Sequence, residues 1–284
     1  MFALRRCAFA LLLAVSASSL SAAEPDAKPI VPTETISLLG DGDLKQHFYS
    51  WLTDGGHEDP RNVFTMGKDG VLHISGDGFG GLITRNEYAN YYLVLEYRWG
   101  TETLLSRKGK SRDSGVLLHC QGPDGGFGGT PEKPGPWMTS LECQIIEGGV
   151  GDILVLAGKD ADGAVMRAEA TCSIVRDRDG EAVWSPTGKP TLFKAGRINW
   201  YGRDPDWKDV VDFRGKEDVE SPGQEWTTVE CFCQGDSLVY RVNGVVVNRA
   251  DKVFPNHGKL LLQTEGAELF VRKMELRPLP KEIP

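Results

Sequence analysis

The chain contains no block of like charges. Its net charge is −8, and its Lys and Arg residues are not clustered. That argues against nucleic acid as a partner, because a phosphate backbone is held by a patch of Lys and Arg. Beyond residue 23 no apolar run approaches the roughly 20 residues that a membrane-spanning helix needs. There is no long amphipathic helical pattern and no short-period repeat, so nothing points to a bundle or a solenoid. Cysteine is scarce, with six in 284 residues. Five of them (Cys120, Cys143, Cys172, Cys231 and Cys233) lie beyond the N-terminal segment. The odd count leaves at least one thiol free, although an oxidising compartment allows one or two bridges. Cys231 and Cys233 sit two apart in a strand-like run, a span too stretched for a mutual disulfide. A C-x-C pair without a nearby His is not a zinc signature. Small buried side chains in a large core is the plainer reading of these cysteines.

What is present begins with a targeting pattern. Arg5 and Arg6 precede an apolar and small-residue run over 7–20, and Ser21-Ala22-Ala23 has the form of a signal peptidase site. Residues 1–23 are therefore read as a signal peptide, and the mature protein as periplasmic or secreted. Cys7 precedes the apolar run, which does not suit a lipid-attachment cysteine. Residues 24–35 hold three prolines and few large apolar side chains, and are expected to form a flexible lead-in.

The remainder reads as short strands between turns. Glycine is abundant, at 34 residues. The clearest early strand is 91–99, Y-Y-L-V-L-E-Y-R-W, rich in aromatic and branched side chains. Runs at 63–66 and 71–74 flank a Gly-Lys-Asp-Gly turn. Further strands are expected at 82–84, 114–120, 152–157, 166–174, 226–234, 237–242, 245–248, 259–264 and 268–277. Asn243-Gly244 predicts a type I′ hairpin turn. Residues 121–135 are rich in Gly and Pro, and make a long loop of the kind that carries function. Residues 176–224 are expected to be surface decoration. Many short strands argue for an all-β fold, a sandwich of two antiparallel sheets.

The stretch 141–147, L-E-C-Q-I-I-E, is the most informative. Strand alternation sends Glu142 and Gln144 to one face and Leu141, Cys143 and Ile145 to the other. Glu147 would join the first two only if a β-bulge intervened. Two carboxylates and an amide on one sheet face suit a sugar-processing groove. A solvated strand face explains Glu142 and Gln144 as simply.

Six segments in order resemble one family. They are Ser37-Leu38-Leu39-Gly40-Asp41-Gly42-Asp43-Leu44, the strand 92–98 with its Glu96-x-Arg98, Asp113-Ser114-Gly115-Val116, Glu142-Cys143-Gln144-Ile145, Val242-Asn243-Gly244, and 258–266 followed by Phe270-Val271-Arg272. Together, over residues 36–279, they resemble the 3-keto-disaccharide hydrolases, also described as 3-keto-glucoside 1,2-lyases and 3-keto-2-hydroxy-glucal hydratases. The resemblance implies a single domain, 36–284, with a concanavalin A-like jelly roll. It implies a 3-keto-glycoside substrate, and that chemistry needs a source of the ketone, such as a sugar 3-dehydrogenase. Laminarinase-type glucanases of the same fold carry E-x-D-x-x-E, whereas this chain has Gln144 at the central position. A retaining glycosidase needs two carboxylates with divided roles, which disfavours that chemistry here. Asp113 replaces an Asn of the family pattern, and His119 stands where an Arg is common.

The resulting candidates are Glu142 as general base or substrate ligand, Gln144 as donor to a keto or hydroxyl oxygen, Glu147 as second carboxylate and His119 as acid. Trp137 is a candidate sugar-stacking ring, with Arg98 and Asp113 as substrate contacts. Each has a plain structural alternative: Trp137 as a rim aromatic, His119 as a core histidine, Arg98 in an ion pair with Glu96. Gln263 and Glu265 share a face that the sequence does not locate. No cofactor is firmly implied. A divalent cation such as Ca²⁺ would find oxygen ligands in acidic loops such as 204–212. The competing function is a non-catalytic, lectin-like carbohydrate-binding module.

Overall fold

The computed structural model describes residues 28–40, 42–130 and 132–284. The targeting segment lies outside these residues. In chain order the elements are β1 (Ile36–Ser37), the one-turn helix α1 (Leu44–His47), β2 (Phe48–Leu52), β3 (Phe64–Met66), β4 (Leu72–Ile74), β5 (Phe79–Thr84), β6 (Tyr91–Thr103), β7 (Asp113–Gln121), β8 (Thr139–Ile146) and β9 (Ile153–Leu156). There follow β10 (Glu169–Arg176), β11 (Ala182–Trp184), β12 (Lys189–Phe193), β13 (Gly196–Ile198), β14 (Thr227–Gln234), β15 (Ser237–Val242), β16 (Val245–Phe254), β17 (Lys259–Glu265) and β18 (Ala267–Arg277).

These strands form two antiparallel sheets, as expected for a jelly-roll sandwich. An 11-stranded sheet runs β11-β10-β16-β15-β14-β6-β18-β4-β3, with β1 and β12 attached to β18 and β10. A 7-stranded sheet runs β13-β9-β8-β7-β17-β5-β2. Strand alternation assembles the core between them. Tyr91, Leu93, Leu95, Tyr97 and Trp99 of β6 face Leu118, Leu141, Cys143 and Ile145 of β7 and β8 within one buried cluster. Asn243 and Gly244 both adopt positive φ, as their hairpin turn requires. The five cysteines are buried free thiols, so no disulfide forms among the described residues. No helix there is long and apolar enough to cross a membrane.

The structure departs from the sequence reading in three places. Residues 176–224 are not merely decoration, because they supply β11 and β12 to the larger sheet and β13 to the edge of the smaller one. The strand β2, signalled only by Trp51, closes the other edge. Part of the lead-in is anchored, since the Ile30 amide donates to the Glu87 carbonyl and Ile30 bridges to Tyr88.

A second apolar cluster lies on the outer face of the 7-stranded sheet. It comprises Ile83, Leu117, Cys120, Met138, Leu156 and Leu261, with Trp51, Phe127 and Trp137 packed against it. The Gly- and Pro-rich loop after β7 covers this face over β2. Trp51 Nε1 donates to the Gly135 carbonyl at 3.1 Å, and the Tyr49 hydroxyl donates to Asp124 at 3.0 Å. Beyond the edge of this cover, toward β8, β9 and β13, the sheet face stays open.

Candidate active site

That opening is a pocket of about 350 Å³, a volume in the range of small-ligand sites. Its floor follows from strand register. Gln144 of β8 stands opposite Gly115 of β7, and Glu142 opposite Leu117. Gln263 and Glu265 of β17 stand opposite Gly81 and Phe79 of β5. Side-chain alternation then delivers Asp113, Glu142, Gln144, Gln263 and Glu265 to one hollow, with Trp137, Phe127, Leu154 and Leu156 as apolar walls and Arg197 of β13 at the rim. A larger open cleft of about 700 Å³ lies between the loops 123–134 and 157–163, without this convergence of buried acids.

Gly115 makes room for the polar floor. A Cβ there would overlap Glu142 Oε1 and sit 2.6 Å from Gln263 Oε1, both of which lean across the glycine. Gly115→Ala is therefore expected to push these two groups aside and cost at least tenfold in kcat/KM while the fold persists. Circular dichroism beside the assay checks this, and unchanged activity would contradict the packing.

The electrostatics are unusual, since three carboxyl groups line one largely buried hollow. Burial pushes the Asp113 carboxyl up to about 7, against the pull of Arg107 and Arg197. Burial and the nearby Asp113 push Glu142 up to about 8, opposed by Arg197 and the Gln263 amide. Burial, Asp113 and Glu142 raise Glu265 well above the usual carboxylate range. Gln144 Nε2 donates to Asp113 at 3.2 Å, while Arg107 lies 3.6 Å from the same carboxylate. The carbonyl oxygens of Gln144 and Gln263 have no partner, although the two side chains are 3% and 1% exposed. A buried, unpaired acceptor costs about 1–3 kcal/mol. Two of them beside an open hollow mark where a ligand's hydroxyl groups would donate.

Among the sequence candidates, Glu142, Gln144, Asp113 and Trp137 come together in this pocket. Glu147, His119 and Arg98 do not. The β7–β8 register continues regularly to the Asp113–Ile146 pair, so no bulge returns Glu147 to the face of Glu142. Instead Glu147 accepts hydrogen bonds from the Arg112 amide at 2.8 Å and guanidinium at 2.6 Å. The irregularity falls in β7, between Leu118 and Gln121. There His119 adopts φ 58 and packs edge-on against Tyr91 in the intersheet core, with Nδ1 3.0 Å from the Pro255 carbonyl. Burial lowers its ring to about 4, so it is neutral near pH 7 and is no acid there. Arg98 lies on the far sheet between the Trp226 and Phe270 rings, and Glu96 pairs with Arg272 and Lys273 rather than with Arg98.

Sequence reasoning paired Gln263 with Glu265 but could not place them, and it missed Arg197. Arg197 has no local signal; it reaches the rim because β13 pairs with β9. Behind it the fully buried Asp152 lies 3.5 Å from Arg197 and 2.6 Å from Arg203, and accepts from the Trp200 amide at 2.8 Å.

In the loop 204–212 three of the acidic side chains are in ion pairs. Asp206 is paired with Arg178, Asp209 with Arg107 and Asp212 with Arg112. Among the described residues no group of three or more His, Cys, Asp or Glu side chains is placed to hold a metal ion.

A family model described as the 3-keto-alpha-glucoside-1,2-lyase-like domain matches residues 34–277. No curated protein sequence matches the chain. Similar solved structures include two of candidate glycosyl hydrolases from Parabacteroides distasonis ATCC 8503. The first is 17% identical at a TM-score of 0.45, covering 87% of this chain and 94% of that one. The second is 16% identical at 0.46, covering 87% and 100%. A prokaryotic β-1,3-1,4-glucanase (lichenase) derived from a mouse hindgut metagenome is 12% identical at 0.41, covering 86% and 98%.

Proposed function

Because the chain belongs to the family of 3-keto-alpha-glucoside-1,2-lyase-like domains, we propose that this pocket cleaves glycosides of a 3-keto hexose by 1,2-elimination followed by hydration. The observation that carries the reading is the set of buried carboxyls whose proton affinities lie near neutrality, gathered around unpartnered amide oxygens. A general base or acid works best when its pKa lies near the operating pH.

A ketone at C3 acidifies the hydrogen at C2, because the electron pair left behind delocalises into the carbonyl. Glu142 in its ionised form, which gains population as pH rises toward about 8, takes that proton. The pair then forms the C1–C2 double bond and expels the glycosidic oxygen, which needs a proton from a pocket acid. The Gln144 amide donates to the keto or a hydroxyl oxygen, and the amide carbonyls of Gln144 and Gln263 accept from ring hydroxyls. Trp137 lies against the apolar face of the sugar. Water then adds its hydroxyl to C1 and its hydrogen to C2, so the net result is hydrolysis. No central carboxylate supports a nucleophile, since the position is Gln144, and this weighs against direct glycosidic displacement.

The ketone must come from oxidation of a C3 hydroxyl, which calls for a sugar dehydrogenase upstream. The signal-like segment 1–23 supports a reading in which the chemistry takes place in the periplasm or outside the cell. The test is incubation of the purified protein with a 3-keto-glucoside bearing a chromogenic leaving group, beside the unoxidised glucoside. Release from the keto sugar alone is the expected result. Release from the unoxidised glucoside would make it an ordinary glycosidase. Calorimetric sugar binding without release from either would make it a binding module.

A further inference from the structure

The three pocket carboxyls are not equivalent in their surroundings. Asp113 on β7 has the Gln144 amide at 3.2 Å and the Arg107 guanidinium at 3.6 Å, both of which favour its ionised form. Glu142 on β8 lies beside the Gln263 amide over Gly115, and that amide favours its ionised form. Glu265 on β17 takes part in no side-chain hydrogen bond or ion pair among the described residues; burial, Asp113 and Glu142 raise its proton affinity, and Arg107 and Arg197 each lower it by less. Two like charges without an intervening donor resist ionising together in a largely buried hollow. The proton that the trio holds most tightly therefore sits on Glu265.

Its position is also distinct. Glu142 lies opposite Leu117, and Leu117 opposite Leu261. Glu265 is four residues farther along β17 from Leu261, which at about 3.3 Å per residue puts its backbone roughly 13 Å along the strand direction from that of Glu142. Both side chains face the same hollow. The buried, partnerless carbonyls of Gln144 and Gln263 point to a ligand between them.

We propose that Glu265 is the acid that protonates the departing glycosidic oxygen, across the sugar from the base Glu142. This inference rests on the elimination reading above. In the forward step the C2 proton moves to the Glu142 carboxylate, the C1–C2 double bond forms and the C1–O bond breaks. The electron pair leaves on the glycosidic oxygen, which takes the Glu265 proton and departs as an alcohol. In hydration, Glu265 as carboxylate removes a proton from water as its oxygen adds to C1, and Glu142 returns its proton to C2. Both residues regain their starting states, and no other reactant is needed.

Leaving-group dependence tests the assignment. The wild type and Glu265→Gln are assayed on two 3-keto-glucosides, one carrying 4-nitrophenol, which departs without a proton, and one carrying methanol, which does not. Loss of the acid is expected to slow the methyl glycoside by roughly 10²–10⁴-fold and the nitrophenyl glycoside by less than about tenfold. Glu265→Asp, which keeps a carboxyl, should restore part of the methyl glycoside rate, and this rescue separates chemistry from misfolding. Equal losses on both substrates, or none on either, would overturn the role of Glu265 and leave the elimination standing. Failure of the wild type on both substrates would overturn the elimination and the acid together.

Discussion

Glu142→Gln is expected to slow release from a 3-keto-glucoside by roughly 10²–10⁴-fold, the contribution typical of a positioned base. The side chain keeps its shape and its place across Gly115, so the pocket persists. What disappears is the only group in that position that can take up a proton. The same change should stabilise the fold at higher pH. The folded state raises this carboxyl from an ordinary 4.5 to about 8. Between those values the folded chain holds a proton that the unfolded chain has released. Its stabilising contribution is complete below about pH 4.5 and is lost as pH rises through about 8. A neutral amide avoids that loss. Urea unfolding at pH 5 and pH 8.5 should show the wild type weakening more than the variant as pH rises. Parallel weakening would mean that Glu142 is better solvated than its burial indicates. Loss of function with gain of stability is the pattern of a site held against its own folding preference.

The second large effect concerns Asp152. It is wholly buried and holds Arg203 at 2.6 Å, Arg197 at 3.5 Å and the Trp200 amide at 2.8 Å. Removing one member of a buried ion pair typically costs about 3–5 kcal/mol, because the partner is left charged and dry. Asp152→Ala should therefore lower stability by about that amount in a denaturant titration. Asp152→Asn should lose less, since it can still accept from the Trp200 amide. Arg203 is the partner that suffers, being buried against Trp207. Arg197 is more exposed, but it loses the group that steadies it at the pocket rim. The folded remainder of Asp152→Asn should accordingly show a raised KM. An alanine variant as stable as the wild type would show that the charges are not confined as the packing indicates.

The two-sheet architecture was legible because alternation and turn chemistry are local. The run 91–99 and the Asn243-Gly244 hairpin needed no knowledge of distant residues. The same alternation put Glu142 and Gln144 on the correct face. Whether that face was solvent or pocket depended on the loop after β7 covering part of it, which no local pattern reveals. Glu147 was misplaced because a bulge leaves no reliable mark in sequence, and here it formed in β7, where it turned His119 into the core. Glu265 and Arg197 required long-range pairings, β17 beside β7 and β13 beside β9. Such neighbours are settled by the global fold, so half of the charged pocket could not be read from its own segments.

The five unbridged thiols have a consequence for how the protein is made. Nothing among the described residues is covalently tied across the two sheets. Denatured chains can return to the native state without sorting cysteine pairs, and a reducing agent removes no constraint from the folded form. Thioredoxin-rich and oxidase-rich surroundings should therefore yield the same molecule, provided that its buried sulfurs close in before they meet an oxidant.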